Sequence, residues 1–345
     1  MRIRPVCRNA SFCVALWCPL LALGEAESPE VKARQLEYDP ASGQWVESPP
    51  PVPGTALGDL QLARQAYAEE EYRRAHRLIE RWLKTYSPDE PYRTDALLLR
   101  AEIEIARRDY YKAHRHLQEL LDEFTGTGAA ERAMEHEFVI AEVFLSGVKR
   151  KWLGMRILSA EDTALEILDE ISATYPDSQL AVTAVRTKAR HFYDRGEFAL
   201  AEMEYSRLVQ EFPRSRYARQ AMRRSADAAL ASFAGIDFDD APLIEAEERY
   251  LDYLASYPGA AEQEGIGQTL QTIHDRRAAK EYSVGWYYER TGHPASAALY
   301  YESTCRNWPE TIAASQARER LQGLEALEPP PPGEAEADLA TESAS

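Results

Sequence analysis

One spacing recurs along the chain and limits its fold more than any other feature. Residues 196–213, "GEFALAEMEYSRLVQEFP", and 292–309, "GHPASAALYYESTCRNWP", place Gly, Ala, Tyr and an aromatic-Pro ending at the same offsets. The full pattern is an aromatic, Ala three residues on, apolar residues four and then three further on, and a turn residue five beyond. Phe198, Ala201, Tyr205, Leu208 and Pro213 satisfy it, as do Tyr72, Ala75, Ile79, Trp82 and Ser87-Pro88. Tyr110, Ala113, Leu117, Leu120 and Thr125 form another copy. Partial copies run through Ala164, Leu168, Ile171 and Pro176, then Ala246, Tyr250, Tyr253 and Pro258, then Ala297, Tyr301, Thr304 and Pro309. Steps of three and four put these side chains on one face of a helix. The small Ala marks a close helix approach, and the proline ends the helix.

A face kept six times belongs to stacked units, each burying its apolar side against the next. Val284, Gly285 and Tyr288 precede Gly292 at the spacing of the first helix of a tetratricopeptide pair, a unit of about 34 residues. The expected fold is therefore all-α, a tetratricopeptide-repeat solenoid of about six antiparallel helix pairs over residues 57–324. Several intervals between copies exceed the repeat length, which predicts longer helices or inserted segments.

The two ends break the pattern. Residues 1–24 read as a signal peptide: Arg2, Arg4 and Arg8, then the apolar "SFCVALWCPLLAL", then small residues Ala22 and Gly24 around Leu23. Cys7, Cys13 and Cys18 fall inside it and leave only Cys305, expected as a buried, inert thiol. Aromatic residues precede Cys13 and Cys18, unlike a lipobox, so the predicted start lies after Gly24 with no lipid on Cys18. Residues 25–56 form a Pro-rich linker in which "YDPASG" predicts a turn and a short hairpin. Tyr38 and Trp45 would there serve as a recognition element or as a lid on the first repeat. Residues 325–345, proline-rich and then acidic, are expected to be disordered.

A net charge of −17 disfavours sequence-independent nucleic-acid binding. No later apolar run is long enough to span a bilayer, so membrane contact is expected to be peripheral or through a lipid anchor. Catalytic patterns are missing. His114 and His116 are two apart and point to different faces, and "HEFVI" at His136 lacks the second His of a zinc protease. "SGVKRK" is no phosphate loop, and His76, His191, His274 and His293 are isolated. The expectation is a non-enzymatic protein with no metal and no cofactor. An enzyme with dispersed active-site residues is the less favoured alternative.

Two surfaces stand out as binding elements. In tetratricopeptide solenoids the first helix of each pair lines the groove. Counting from the anchors places Arg64 and Tyr67, then Arg186, Arg190 and Tyr193, then Tyr282 and Trp286 on it. Arg suits carboxylates, and Tyr and Trp supply apolar contact area, so a peptide is the expected ligand. The second element is the insertion "SGVKRKWLGMRILSAED", expected as a loop. Its Lys149, Arg150, Lys151 and Arg156 surround Trp152 and suit docking to an acidic partner or anionic headgroups. Ser159 and Asp162 predict a helix start beside it.

Helix pairs ending in Tyr-Pro or Phe-Pro, the Asp-bearing connection "FAGIDFDDAPLIEAEERYLDYLASYP" and the closing "YYERTGHPASAALYYESTCRNWP" resemble the BamD component of the outer-membrane β-barrel assembly machine. The resemblance covers about residues 57–322. It implies an exported protein at the periplasmic face of the outer membrane. It also implies a scaffold that binds the barrel-folding subunit, other assembly proteins and C-terminal signals of unfolded barrel proteins. A periplasmic adaptor of a cell-division or secretion system is the alternative.

Overall fold

The computed structural model describes residues 36–39, 44–47, 51–152 and 155–325. The signal segment, the acidic tail and turn residues 40–43 lie outside the described residues. Up to Pro51 and from Val52 on, the chain forms two compact units. In the first, β1 (Leu36–Asp39) pairs antiparallel with β2 (Gln44–Glu47), with Tyr38 opposite Trp45 in register.

The second unit is a series of helix pairs. They are α1 (Ala56–Ala68) with α2 (Tyr72–Thr85), α3 (Arg93–Ala106) with α4 (Tyr110–Glu123), and α5 (Gly128–Leu145) with α6 (Glu161–Thr174). Then come α7 (Gln179–Asp194) with α8 (Phe198–Glu211), and α9 (Ala218–Ala231) with α10 (Ala241–Ser256). A short α11 (Pro258–Gln263) leads to α12 (Ile266–Arg290) with α13 (Pro294–Asn307), and α14 (Ile312–Glu325) closes the array. Each helix packs chiefly on its chain neighbours, as a tetratricopeptide solenoid requires.

Local chemistry explains the punctuation. Thr55, Thr127 and Ser178 cap α1, α5 and α7, their hydroxyls accepting the backbone N–H three residues on at 3.0–3.2 Å. Four of the turns within pairs repeat one geometry. The middle residue, Glu70, Arg108, Gly196 or Gly292, is left-handed. The next N–H reaches back to a carbonyl five residues earlier, as from Gly196's neighbour Glu197 to Phe192 at 2.9 Å. Every second helix ends on a half-buried aromatic: Tyr86, Phe124, Tyr175, Phe212, Tyr257 and Trp308. Each of these donates its N–H to the last apolar anchor of its own helix, from Trp82 to Thr304.

The repeated anchors form the core. Ala75, Ala113, Ala164, Ala201, Ala246 and Ala297 are all fully buried, and the larger residues that follow each of them are buried too. The clusters they anchor follow one another along the array. The insertion after α5 departs from the expected loop. Its backbone forms a hairpin, β3 (Arg150–Trp152) antiparallel to β4 (Met155–Leu158), with β3 beside α4. Helix α6 then starts at Glu161. Ala160 holds the cap position, and Ser159 Oγ accepts the Glu161 N–H at 3.3 Å.

Candidate functional site

Helix α7 turns Ala181, Val185, Ala189 and Phe192 into the core. Arg186, Arg190 and Tyr193, at steps of four and three, are left on the edge that faces α9. There they line a cavity of about 250 Å³ with Tyr217 at the cap of α9, Gln220 and Arg224 of α9 and Tyr205 of α8. The Arg186 guanidinium lies 4.0 Å from the Tyr217 ring centre, and that of Arg224 lies 5.5 Å from the Tyr193 ring. Stacking of this kind holds each guanidinium plane while leaving N–H groups free for an anion.

The charge of the cavity is largely uncompensated. Arg224 pairs with Asp227 at 3.5 Å, but neither Arg186 nor Arg190 meets a carboxylate among the described residues. Asp194 is the one acid in the wall. The Tyr205 ring is buried, and burial pushes its phenol above the ordinary value against the pull of Arg224 and Arg190. Its hydroxyl therefore stays protonated and can donate to a ligand oxygen. Two unpaired guanidinium groups, a phenol donor and aromatic walls together suit a carboxylate next to an apolar or aromatic group.

The other predicted groove residues are used differently. Arg64 pairs with Asp95 at 3.0 Å, and Tyr67 is half-buried beside Tyr72 with ring centres 5.9 Å apart. Tyr282 packs into the last cluster against Tyr301 at 5.4 Å. Trp286 is exposed and lies under the Arg290 guanidinium at 4.6 Å. The α7 cavity includes none of these four. In the hairpin, Lys149 is exposed, while the side chains of Arg150, Lys151, Trp152 and Arg156 lie outside the described residues.

Sequence reasoning missed the α9 wall of the cavity. The basic run "RSRYARQAMRR" at 214–224 was the available signal, since it places Tyr217 and Arg224 two helical turns apart on one face. It also left the histidines isolated, whereas most meet a glutamate on a neighbouring helix. His76 meets Glu104 at 3.1 Å, His114 meets Glu137 at 2.8 Å, His191 meets Glu161 at 2.8 Å and His274 meets Glu247 at 2.9 Å. Glu104 and Glu137 are fully buried; His114 meets both oxygens of Glu137, while His76 and Arg107 meet only Oε1 of Glu104 and leave its Oε2 without a partner among the described residues. Cys305 is half-buried, donates to the Ala314 carbonyl at 3.4 Å and has its thiol pushed up by burial. Among the described residues no group of His, Cys, Asp and Glu is placed to hold a metal, and no helix is long and apolar enough to cross a membrane.

Residues 157–326 match the family YfiO, described as an outer membrane lipoprotein. The matched segment runs from the end of β4 through α14 and contains the whole α7–α9 cavity. No curated protein matches the chain in sequence. Among solved structures, the chain is similar to the C-terminal part of a TPR repeat-containing protein from Cytophaga hutchinsonii, at 12% identity over 77% of this chain and 88% of that one, TM-score 0.38. A tetratricopeptide repeat protein from Parabacteroides merdae gives 10% identity over 78% and 98%, TM-score 0.35. PilW, a type IV pilus biogenesis factor, gives 17% identity over 77% and 99%, TM-score 0.29.

Proposed function

We propose that this protein is a non-enzymatic scaffold of outer-membrane protein assembly. It is exported to the periplasm, works at the inner face of the outer membrane and docks the barrel-folding subunit. Its α7–α9 cavity takes the carboxyl end of an unfolded barrel protein. The observation that carries this proposal is the location of the unpaired Arg186–Arg190 pair and its tyrosines inside the segment similar to outer membrane lipoproteins. The terminal carboxylate would meet the guanidinium groups, and an aromatic residue beside it would meet Tyr193, Tyr205 and Tyr217. The β3–β4 hairpin, whose sequence carries Lys149, Arg150, Lys151 and Arg156 on either side of Trp152, serves as the docking element for the partner subunit.

Two measurements test this. Native protein purified from membranes should bring the barrel-folding subunit with it; a preparation without that subunit would rule out the assembly role. Titration with a C-terminal barrel-protein peptide should show binding weakened at least tenfold by Arg186→Glu with Arg190→Glu, as expected for charge-assisted hydrogen bonds of about 1.5–3 kcal/mol each. Equal affinity in the double variant, with an unchanged melting curve, would remove the cavity from the mechanism.

A further inference from the structure

Helix α2 carries charge against the trend of the molecule. Its cations are Arg73, Arg74, Arg77, Arg81 and Lys84, and its only acid is Glu80. Acids equal or outnumber cations in the second helix of every other pair; α6 has five acids and no Lys or Arg. The chain as a whole stands at −17.

The cations are also arranged. Ala75, Ile79 and Trp82 face the core. Arg73, Arg77, Arg81 and Lys84, at steps of four, four and three, form one exposed row on the other side. The row is about 16 Å long at 1.5 Å per residue. Arg74 pairs with Glu71 at 2.8 Å, but the side chains of the four in the row meet no carboxylate among the described residues. Arg73 and Arg77 line an open cavity with Arg74, Glu70 and Glu71, and Arg81 and Lys84 continue the row beyond it. The four form an extended strip of charge, which fits a surface of many anions.

Trp82 Nε1 donates to the Ala56 carbonyl at 2.7 Å and Tyr86 donates to Asp59 at 2.8 Å, so the start of α1 sits on the opposite face of α2 and leaves the row uncovered.

We propose that the α2 face is a membrane-docking surface for anionic phospholipid headgroups. The acidic remainder of the chain is repelled by the same surface, so the contact also orients the array with its first repeat against the lipid. This extends the envelope placement proposed above, and its test needs neither the barrel peptide nor the barrel-folding subunit, so the two can fail separately. All of α2 precedes the segment similar to outer membrane lipoproteins.

The test is vesicle co-sedimentation of the full chain, with phosphatidylcholine vesicles compared with phosphatidylcholine–phosphatidylglycerol vesicles. Binding through the apolar N-terminal stretch is common to every arm and subtracts. Wild type should prefer the anionic vesicles, and added salt should erase the preference. Each cation near an anionic surface raises partitioning about fivefold, so replacing Arg73, Arg77, Arg81 and Lys84 with Gln should lower it about 600-fold. Replacing the three arginines with Lys keeps the charge and should keep binding. A control variant with Arg115, Arg214, Arg276 and Arg306 changed to Gln should bind as wild type. Equal binding of wild type to both vesicles, full binding by the α2 Gln variant, or equal loss in the control would each overturn the proposal. The first of these outcomes would turn the row over to an acidic protein.

Discussion

At Gly285 a single methyl group would decide how α12 meets α13. A Cβ there would stand 2.8 Å from Tyr301 Cδ1 and Cε1 and 3.3 Å from Tyr300 Cβ. The Tyr301 ring cannot swing aside cheaply. It is fully buried, stacks near Tyr282 and donates its hydroxyl to Glu289 at 2.7 Å. Gly285→Ala should therefore destabilise by about 1–3 kcal/mol through overpacking, less the roughly 1 kcal/mol that Ala gains in helix propensity. A lower urea midpoint would show it, and an unchanged midpoint would mean that the helices move apart freely. Glu137 gives the pH test at this scale. Burial raises its carboxyl above 4.5, opposed by the His114 and Gln118 hydrogen bonds. The folded state therefore holds that proton more tightly than the unfolded chain. Stability from this site is greatest below the unfolded value and is lost as pH rises through the folded one. Glu137→Gln removes that loss. Its melting temperature should improve relative to wild type as the pH is raised from 4 to 8, on the order of one pH-independent hydrogen bond replacing a titrating one.

At the scale of the element, the turns within pairs carry a measurable strain. Glu70 and Arg108 occupy the left-handed position that Gly196 and Gly292 fill elsewhere, with φ of 59° and 58°. A side chain there costs about 1–2 kcal/mol, part of which the extra freedom of glycine in the unfolded chain gives back. Glu70→Gly should thus raise stability by about 0.5–1 kcal/mol, read as a higher midpoint with an unchanged denaturant slope. A destabilised variant would mean that the exposed Glu70 side chain contributes more than its backbone costs. The aromatic C-caps act at the same scale. Each ends a second helix and also covers the end of its pair, so one residue type both stops and packs the element.

Across the molecule, stability is close to a sum over neighbours. Few contacts reach beyond the adjacent pair, so loss at one end should stay at that end. Helix α14 covers Ala297 and Tyr301 through Ala317, Leu321 and Leu324, and Arg320 reaches Glu289 at 3.3 Å. Ending the chain at Glu310 should expose that face. Hydrogen exchange in α12 and α13 should then quicken by at least tenfold, while α1–α4 keep wild-type protection. Uniform loss along the array would show that the repeats unfold as one cooperative body.

The sequence by itself determined the register of the repeats. The anchors from Ala75 to Thr304, the second-helix ends and the pair count could be found because each depends on residues three, four or five apart. One edge of the candidate site, Arg186, Arg190 and Tyr193, followed from that same periodicity. Only the tertiary structure decided which of the predicted groove residues share a cavity. Arg64 is drawn to Asp95 and Tyr282 to Tyr301, while Tyr217 and Arg224 arrive from a helix two elements away. The histidine–glutamate contacts follow the same rule, since His76 and Glu104 are far apart in sequence and meet only when α2 and α3 pack. Helical period fixes which face a side chain occupies. What that face meets depends on how successive pairs stack, and stacking is a property of whole surfaces that no short run of residues encodes.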